Sequence, residues 1–284
     1  MNNTLEIKKL VKKYDNFKLE DINFNIPTGS IVGLIGENGA GKTTLIKSIL
    51  NIINIDEGSI NIFDKDYKKY ENIIKEDIGI VLDNIFFPEL LKVYDIDLIM
   101  KDIYKNWDTD LFKKYLKNFN ISNKLIKDLS KGMRKKVEII TALSHHPKLL
   151  ILDEPTSGLD PIVRNEILDL FLEFVEDKNN TILFSTHITS DLERIADRII
   201  FINKGKVVLD KNKDEIMEEF GVLKCNLDEF ELISKDDIFM YNKNRNNYDI
   251  LILNKNKLSK KYRDFVINKI TLEDLMLLII KGGK

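Results

Sequence analysis

Short apolar runs alternate along the chain with longer segments whose apolar residues recur every three or four positions. The longer segments predict helices at residues 42–52, 161–177 and 189–197. The short runs predict buried β-strands at residues 30–36, 58–64, 77–82, 148–153, 180–186 and 198–202. Because strands alternate with helices, we expect an α/β fold with a mostly parallel sheet flanked by helices.

Two segments depart from this alternation. Residues 84–145 are helix-rich and charged and lie between two predicted core strands, which indicates an inserted helical subdomain. Beyond these core elements the chain turns to short strands and ends in a helix, where Thr271 and Asp274 have capping-box spacing. We therefore predict a large domain at residues 1–218 and a small C-terminal α+β accessory domain at residues 219–284.

Composition narrows the classes of function. Hydrophobic residues make up 43% of the 284 residues, which is enough for a sizeable core. Lys and Arg number 44 against 46 Asp and Glu, so no overall positive field favours nucleic acid or an anionic membrane. Cys225 is the only cysteine, which excludes an intrachain disulfide and fits a reducing compartment. Apolar runs such as residues 275–280 are shorter than the ~20 residues that span a bilayer, so we expect a soluble chain.

One motif carries explicit phosphate chemistry. Residues 36–43, "GENGAGKT", fit the phosphate-loop pattern G-x-x-x-x-G-K-[ST], between a predicted strand and a predicted helix. In such a loop Lys42 reaches the outer phosphates, and the Thr43 hydroxyl is a ligand of Mg²⁺. The positive end of the following helix adds to the attraction. The sequence therefore predicts a nucleotide site.

Polar residues follow two of the other predicted strands. Asp153 and Glu154 end the run "KLLILDEP" at residues 148–155, and His187 follows residues 180–186. Such residues are often an ordinary polar loop or an exposed histidine, but beside a phosphate loop the functional interpretation is favoured. Asp153 would then hold Mg²⁺, Glu154 would orient or deprotonate the attacking water, and His187 would contact the γ-phosphate.

A basic stretch at residues 129–136, "LSKGMRKK", is predicted to begin a helix. Cations are unfavourable at a helix N-terminus, where the helix dipole is already positive. Because Met133, Val137 and Ile140 would form the buried stripe, we expect the side chains of Arg134, Lys135 and Lys136 to point into solvent.

Together these motifs resemble the ATP-binding subunit of ABC transporters over approximately residues 3–218. "GENGAGKTT", "LSKGM", "LLILDEP", "SGLD" and "STH" occur in that family's order. The resemblance implies a P-loop NTPase core with an antiparallel β subdomain and the inserted helical subdomain. It also implies ATP and Mg²⁺ as ligands, two such subunits closing around two ATP molecules, and partner permease subunits in the membrane. The tail is similar to a bacterial exporter branch with separately encoded membrane subunits.

The resemblance assigns residues to roles. Tyr14 would stack on adenine, and His187 would be the switch histidine. Ser130 and Gly132 would contact the γ-phosphate bound to the partner subunit, with Lys131 in place of the family's glycine. The residues implied in nucleotide binding are Tyr14, Gly36, Asn38, Gly39, Ala40, Gly41, Lys42, Thr43, Thr44, Ser130, Lys131, Gly132 and Asp160.

The metal ligands implied are Thr43, Asp153 and Asp83. Asp83 falls where the family usually has glutamine, so it either contacts Mg²⁺ or is a surface loop residue. Lys42, Glu154 and His187 would carry catalysis.

The expected function is therefore ATP hydrolysis that drives a transporter, from a position on the cytoplasmic face of the membrane. A soluble ABC-type ATPase acting on ribosomes or DNA is the alternative, although the single phosphate loop and the lack of a long coiled coil disfavour it. A non-hydrolysing regulatory subunit is disfavoured by Glu154. A small GTPase is excluded because residues 203–206, "NKGK", lack the aspartate of the guanine-reading motif.

Overall fold

A computed structural model describes residues 2–83, 87–245 and 247–283. The strands in chain order are β1 (Asn3–Tyr14), β2 (Phe17–Pro27), β3 (Ile31–Ile35), β4 (Glu57–Ile62), β5 (Lys65–Asp66), β6 (Ile78–Val81), β7 (Leu149–Asp153), β8 (Thr181–Thr186), β9 (Arg198–Asn203), β10 (Lys206–Asn212), β11 (Gly221–Asn226), β12 (Met240–Asn244), β13 (Asn247–Ile252) and β14 (Ile267–Lys269).

The helices in chain order are α1 (Lys42–Ile49), α2 (Tyr67–Ile74), α3 (Val93–Ile103), α4 (Thr109–Asn118), α5 (Lys131–Leu143), α6 (Pro161–Phe174), α7 (Thr189–Ile195), α8 (Lys213–Glu219), α9 (Leu227–Glu231), α10 (Lys255–Lys261) and α11 (Leu272–Lys281). Short 3₁₀ turns lie at Lys75–Asp77, Ile126–Asp128 and Lys235–Asp237.

The central sheet has the strand order β10-β9-β3-β8-β7-β6. Its neighbours pair in parallel, except that β10 runs antiparallel to β9. Every residue of β3, β7 and β8 is buried, because both faces of the sheet are covered. The continuous apolar runs in the sequence are the consequence, and the predicted α/β fold is confirmed.

A second, antiparallel sheet with the order β2-β1-β4-β5 covers one face of the central sheet together with α1. Leu5 and Leu19 of this sheet share a core with Leu45 of α1 and Leu183 of β8. The strand predicted at residues 58–64 is β4 and lies here rather than in the central sheet. The apolar pattern did not locate the long strands β1 and β2, because exposed polar residues interrupt the buried apolar ones along both strands.

Helices cover the other face of the central sheet. Phe171 of α6 and Leu192 of α7 pack with Phe184 and Phe201 of the sheet. Helices α3, α4 and α5 follow β6 and precede β7, as expected for the inserted helical subdomain. Its predicted first residue falls in 84–86, outside the described residues.

The expectation of a solvent-exposed basic face on α5 is wrong for Lys135 and Lys136, which are 4% and 7% exposed. Lys135 pairs with Glu138 at 2.8 Å, and the Lys136 ammonium lies 2.5 Å from Glu166 Oε2. Arg134 is half-buried and donates to backbone carbonyls of the preceding turn. Helix α5 is therefore buried around most of its circumference, and Lys135 and Lys136 pair with carboxylates on α5 and α6.

The C-terminal segment forms a third sheet with the order β12-β13-β11-β14 and a separate small core around Leu223, Tyr248 and Ile250. The last helix, α11, instead joins the main core, where its Leu275 and Ile279 share a cluster with α7. The predicted capping box is confirmed, since the Thr271 side chain accepts from the Asp274 N–H. The boundary at residue 218 stays a prediction.

Candidate functional site

The phosphate loop connects β3 to α1. Gly41 immediately precedes the helix with φ 113°, and a Cβ there would lie 2.7 Å from the ring of Phe17. Only glycine tolerates both constraints. The chain then enters α1 at Lys42, and the first N–H groups of a helix have no partners within it. This turn therefore offers backbone donors and a positive helix end to an anion.

The Lys42 side chain extends back along the backbone of the phosphate loop. Its side chain is 6% exposed, and its Nζ donates to the Gly36 carbonyl at 2.8 Å. The same ammonium lies 3.4 Å from Glu154 Oε1. The cation is thus held at the centre of the loop, where it is available to a phosphate.

Asp153 ends strand β7 and is buried. Its Oδ2 accepts from the Thr43 hydroxyl at 2.8 Å, and its Oδ1 accepts from the Ser185 hydroxyl. The two residues first expected to hold the metal therefore touch each other. A hydroxyl and a carboxylate are oxygen ligands that suit Mg²⁺ together with substrate phosphates, so the residues present fit that ion.

Glu154 adopts φ 50°, a conformation that is sterically unfavourable for a residue with a long side chain and costs of order 1–3 kcal/mol. Its Oε2 lies 2.8 Å from His187 Nδ1. Its Oε1 is buried without a hydrogen bond and has the Lys42 ammonium as its near neighbour. The carboxylate therefore lies between the phosphate-loop lysine and the histidine at the end of β8.

Lys42, Thr43, Glu154 and His187 line one cleft of about 690 Å³, whereas the buried Asp153 is not among its lining residues in the described chain. The cleft also includes the exposed Asp83, which the structure brings to the site. Tyr14 is half exposed at the end of β1 and is not among the residues that line this cleft in the described chain. Phe17, three residues further on, does line it. The remaining lining residues are Asn16, Glu37, Asn38, Gly39, Gly41, Thr44 and Ser157, while the predicted Gly36 and Ala40 are buried.

The other predicted nucleotide residues form a second group outside the cleft lining. Ser130 caps α5 by accepting from the Met133 N–H at 3.2 Å, and Asp160 caps α6 as expected. Lys131 is exposed, and a Cβ built on Gly158 (φ 67°) would clash with its ammonium. Gly132 packs near Val163. The start of α5 and the turn before α6 thus form one surface. Ser157 of that turn also lines the nucleotide cleft.

An apolar groove of about 280 Å³ follows β6. Glu138 lies in its wall, and burial raises the pKa of this carboxyl while Lys135 opposes the rise. The Asp83 charge adds to the rise of the Glu138 pKa. The groove is lined by Ile80, Val81, Leu82, Phe87, Pro88, Met100, Tyr104, Glu138, Thr141 and Ala142. The exposed apolar side chains nearby in sequence are Leu90, Tyr94, Leu98, Ile99 and Ile103.

Sequence reasoning missed one polar group beside the site. Asp191 of α7 is buried and accepts from Thr156 and Arg164. No local sequence pattern predicts this group, because Asp191 lies 35 positions from Thr156 and 27 positions from Arg164 along the chain.

The core sheet, the phosphate loop and the carboxylates at the strand end define a P-loop nucleotide-binding protein. The ABC transporter family profile matches residues 19–157. The ABC transporter ATP-binding protein YtrB of Bacillus subtilis is 30% identical over 226 residues, covering 79% of this chain and 77% of that protein. The lantibiotic transport ATP-binding protein SrtF of Streptococcus pyogenes is 35% identical over 221 residues, covering 76% and 94%.

A solved ATP-binding subunit of an ABC transporter superposes with a TM-score of 0.68 at 29% identity, covering 75% of this chain and 91% of that one. A second, cbiO1 from Clostridium perfringens, superposes at 0.64 with 30% identity, covering 76% and 91%. The chain belongs to the ABC transporter family and is an ATP-binding subunit with ATPase activity coupled to transport. The similarity disfavours the soluble ribosome- or DNA-acting ATPase. Within the described residues, no helix has the length and apolarity to cross a membrane.

Proposed function

We propose that this chain hydrolyses Mg²⁺-ATP at an interface with a second ATP-binding subunit and so drives an export-type transporter. The observation that carries the proposal is the contact of Glu154 with both Lys42 and His187, next to the Thr43–Asp153 hydrogen bond. These are a cation for phosphate, oxygen ligands for a metal, and a carboxylate with its orienting partner.

In this proposal the backbone of residues 36–44 and Lys42 hold the phosphates of ATP. Thr43, Asp153 and Asp83 would hold Mg²⁺, which supplies charge neutralisation on the phosphates when bound. Glu154 orients the attacking water and accepts its proton, and His187 holds the Glu154 carboxylate. ATP and water are thereby converted to ADP and phosphate.

The second group of residues supports a site that two subunits share. Ser130, Gly132 and Asp160 lie outside the chain's own cleft, yet Ser130 opens a helix N-terminus that suits a phosphate. We place them on the γ-phosphate side of the ATP bound by the partner, with Lys131 adding positive charge. Tyr14 is placed against adenine, beside Phe17. Contacts made only in the closed pair let ATP favour closure and hydrolysis reverse it.

Membrane subunits would dock in the apolar groove after β6 and on the exposed side chains Tyr94 and Leu98 of α3. Exposed apolar surface of this kind marks interaction sites. The subunit would then lie on the cytoplasmic face of the membrane, with residues 1–218 as the ATP-binding domain and 219–284 as an accessory domain. Two relatives are named for transport of bacitracin and of a lantibiotic, which makes peptide antibiotics the proposed cargo class.

Removal of the Lys42 ammonium tests the proposal. We expect Lys42→Ala to abolish Mg²⁺-dependent ATP hydrolysis, because the phosphates lose the buried cation. Lys47→Ala, in the last turn of the same helix, is the matched control and should hydrolyse ATP like the wild type. Phosphate release that persists in Lys42→Ala would contradict the proposed site.

A further inference from the structure

A buried carboxylate outside the nucleotide cleft joins the two segments that carry Glu154 and His187. Asp191 is 1% exposed. Its Oδ2 accepts from the Thr156 hydroxyl at 2.7 Å, and its Oδ1 accepts from the Arg164 guanidinium. A buried charge is stable only when it is paired and hydrogen-bonded, so these contacts fix its position.

Together with the backbone, these contacts form a closed ring of residues that runs through Glu154, Thr156, Asp191 and His187. Thr156 lies two residues beyond Glu154, and Asp191 lies four residues beyond His187, in the first turn of α7. Glu154 and His187 contact each other directly at 2.8 Å. Arg164 extends the ring to α6 and also donates to the Ser190 hydroxyl at 2.6 Å. A displacement of Asp191 would therefore move both the carboxylate and the imidazole.

The ring also bears on the backbone of Glu154. This residue has φ 50°, and such a conformation persists only where the surroundings over-determine it. On one side, the Glu154 N–H donates to the Ser185 carbonyl at 3.0 Å. On the other side, the Thr156 side chain is held by Asp191. The unfavourable backbone is thus fixed both at Glu154 itself and two residues beyond it.

We propose that Asp191 is a positioning residue for hydrolysis: through Thr156 it holds Glu154, and through α7 it holds His187. The inference rests on the proposed function, in which Glu154 accepts the proton of water. Small displacements of a reacting group lower the rate of the chemical step without a matching loss of binding. Loss of the positioning by Asp191 should therefore lower the turnover number and leave the affinity for ATP nearly unchanged.

The test uses the Thr156 hydroxyl, because it can be removed with little change of volume. Thr156→Val removes the hydroxyl that donates to Asp191, whereas Thr156→Ser retains it. Thr181→Val is the matched control, since Thr181 is equally buried and its hydroxyl lies 2.9 Å from that of Thr4, at the start of β8. For each full-length protein, kcat and KM for Mg²⁺-ATP and the melting temperature are measured.

We expect Thr156→Val to lower kcat by about tenfold or more with KM changed by less than about twofold. Thr156→Ser and Thr181→Val should keep kcat within about twofold of the wild type, even if Thr181→Val melts as early as Thr156→Val. An unchanged kcat in Thr156→Val, or an equal loss in Thr181→Val, would overturn the inference. A wild type without hydrolysis would instead overturn the proposed function.

Discussion

His187 contacts Glu154 through Nδ1, 2.8 Å from the carboxylate oxygen Oε2. The other oxygen, Oε1, lies 3.4 Å from the Lys42 ammonium. Glu154 is therefore held from both sides by residues of this one chain.

Glu154→Gln should retain ATP and accumulate as a dimer. The amide keeps the size of the side chain but accepts a proton poorly, so hydrolysis should fall by about 100-fold or more. Gel filtration with saturating ATP would show the dimer, and the exposed Glu176→Gln should remain active as the control. A Glu154→Gln protein that stays monomeric with ATP would contradict closure around the nucleotide.

Lys131→Gly should weaken ATP-driven dimerisation, measured in the Glu154→Gln background. The Lys131 side chain is exposed at the start of α5, where a cation is unfavourable unless an anion approaches. The loss should be larger at low salt than near 1 M salt, where the Debye length is only about 3 Å. The exposed Lys178→Ala is the control. A loss independent of salt would make Lys131 an ordinary surface lysine.

Asp83→Asn should raise the Mg²⁺ concentration for half-maximal hydrolysis by about tenfold, if Asp83 contributes to holding the metal. The residue is exposed and lines the cleft with Thr43 and Glu154. The measurement is a Mg²⁺ titration at saturating ATP, with Asp110→Asn on α4 as the control. An unchanged titration would identify Asp83 as a surface loop residue.

Acid should destabilise the fold through His145. Burial lowers the pKa of this imidazole, which stacks on Tyr104 with ring centroids 3.9 Å apart. As pH falls below about 6.5, His145 binds a proton more readily in the unfolded chain than in the folded one. The free energy of unfolding therefore falls by up to about 1.4 kcal/mol per pH unit. This contribution is fully present above that range.

His145→Phe keeps an aromatic ring against Tyr104 and cannot titrate. Its free energy of unfolding, measured in urea at pH 7.5 and 5.5, should therefore decrease less than that of the wild type. The exposed His146→Asn is the control, since asparagine tolerates its φ of 56°. Equal decreases in the wild type and His145→Phe would contradict the prediction.

The sequence predicted those features that short segments encode by themselves. The mainly apolar runs located β3, β7 and β8, because a strand buried on both faces does not alternate between apolar and exposed polar residues. The phosphate-loop motif located Lys42 and Thr43, because the spacing is a property of one turn. The helix predicted to reach residue 52 ends at Ile49, and Asn51 then adopts φ 53°.

Features that depend on packing between distant segments were not predictable in the same way. The apolar stripe of α5 gave no sign that Lys136 would be covered, because Glu166 lies on α6 and Phe119 directly follows α4. The position of Phe17 in the cleft depends on the turn between β1 and β2. The partners of Asp191 are determined by how α6 and α7 pack on the sheet.

The last helix of the chain has a consequence for how the protein can be shortened. Leu272 N–H donates to Glu193 on α7 at 2.7 Å, and α11 shares the main core with that helix. A chain cut after residue 218 would expose apolar side chains of α7, the helix that follows His187, and would tend to aggregate. Loss of activity after deletion of residues 219–284 would therefore not by itself assign a function to that segment.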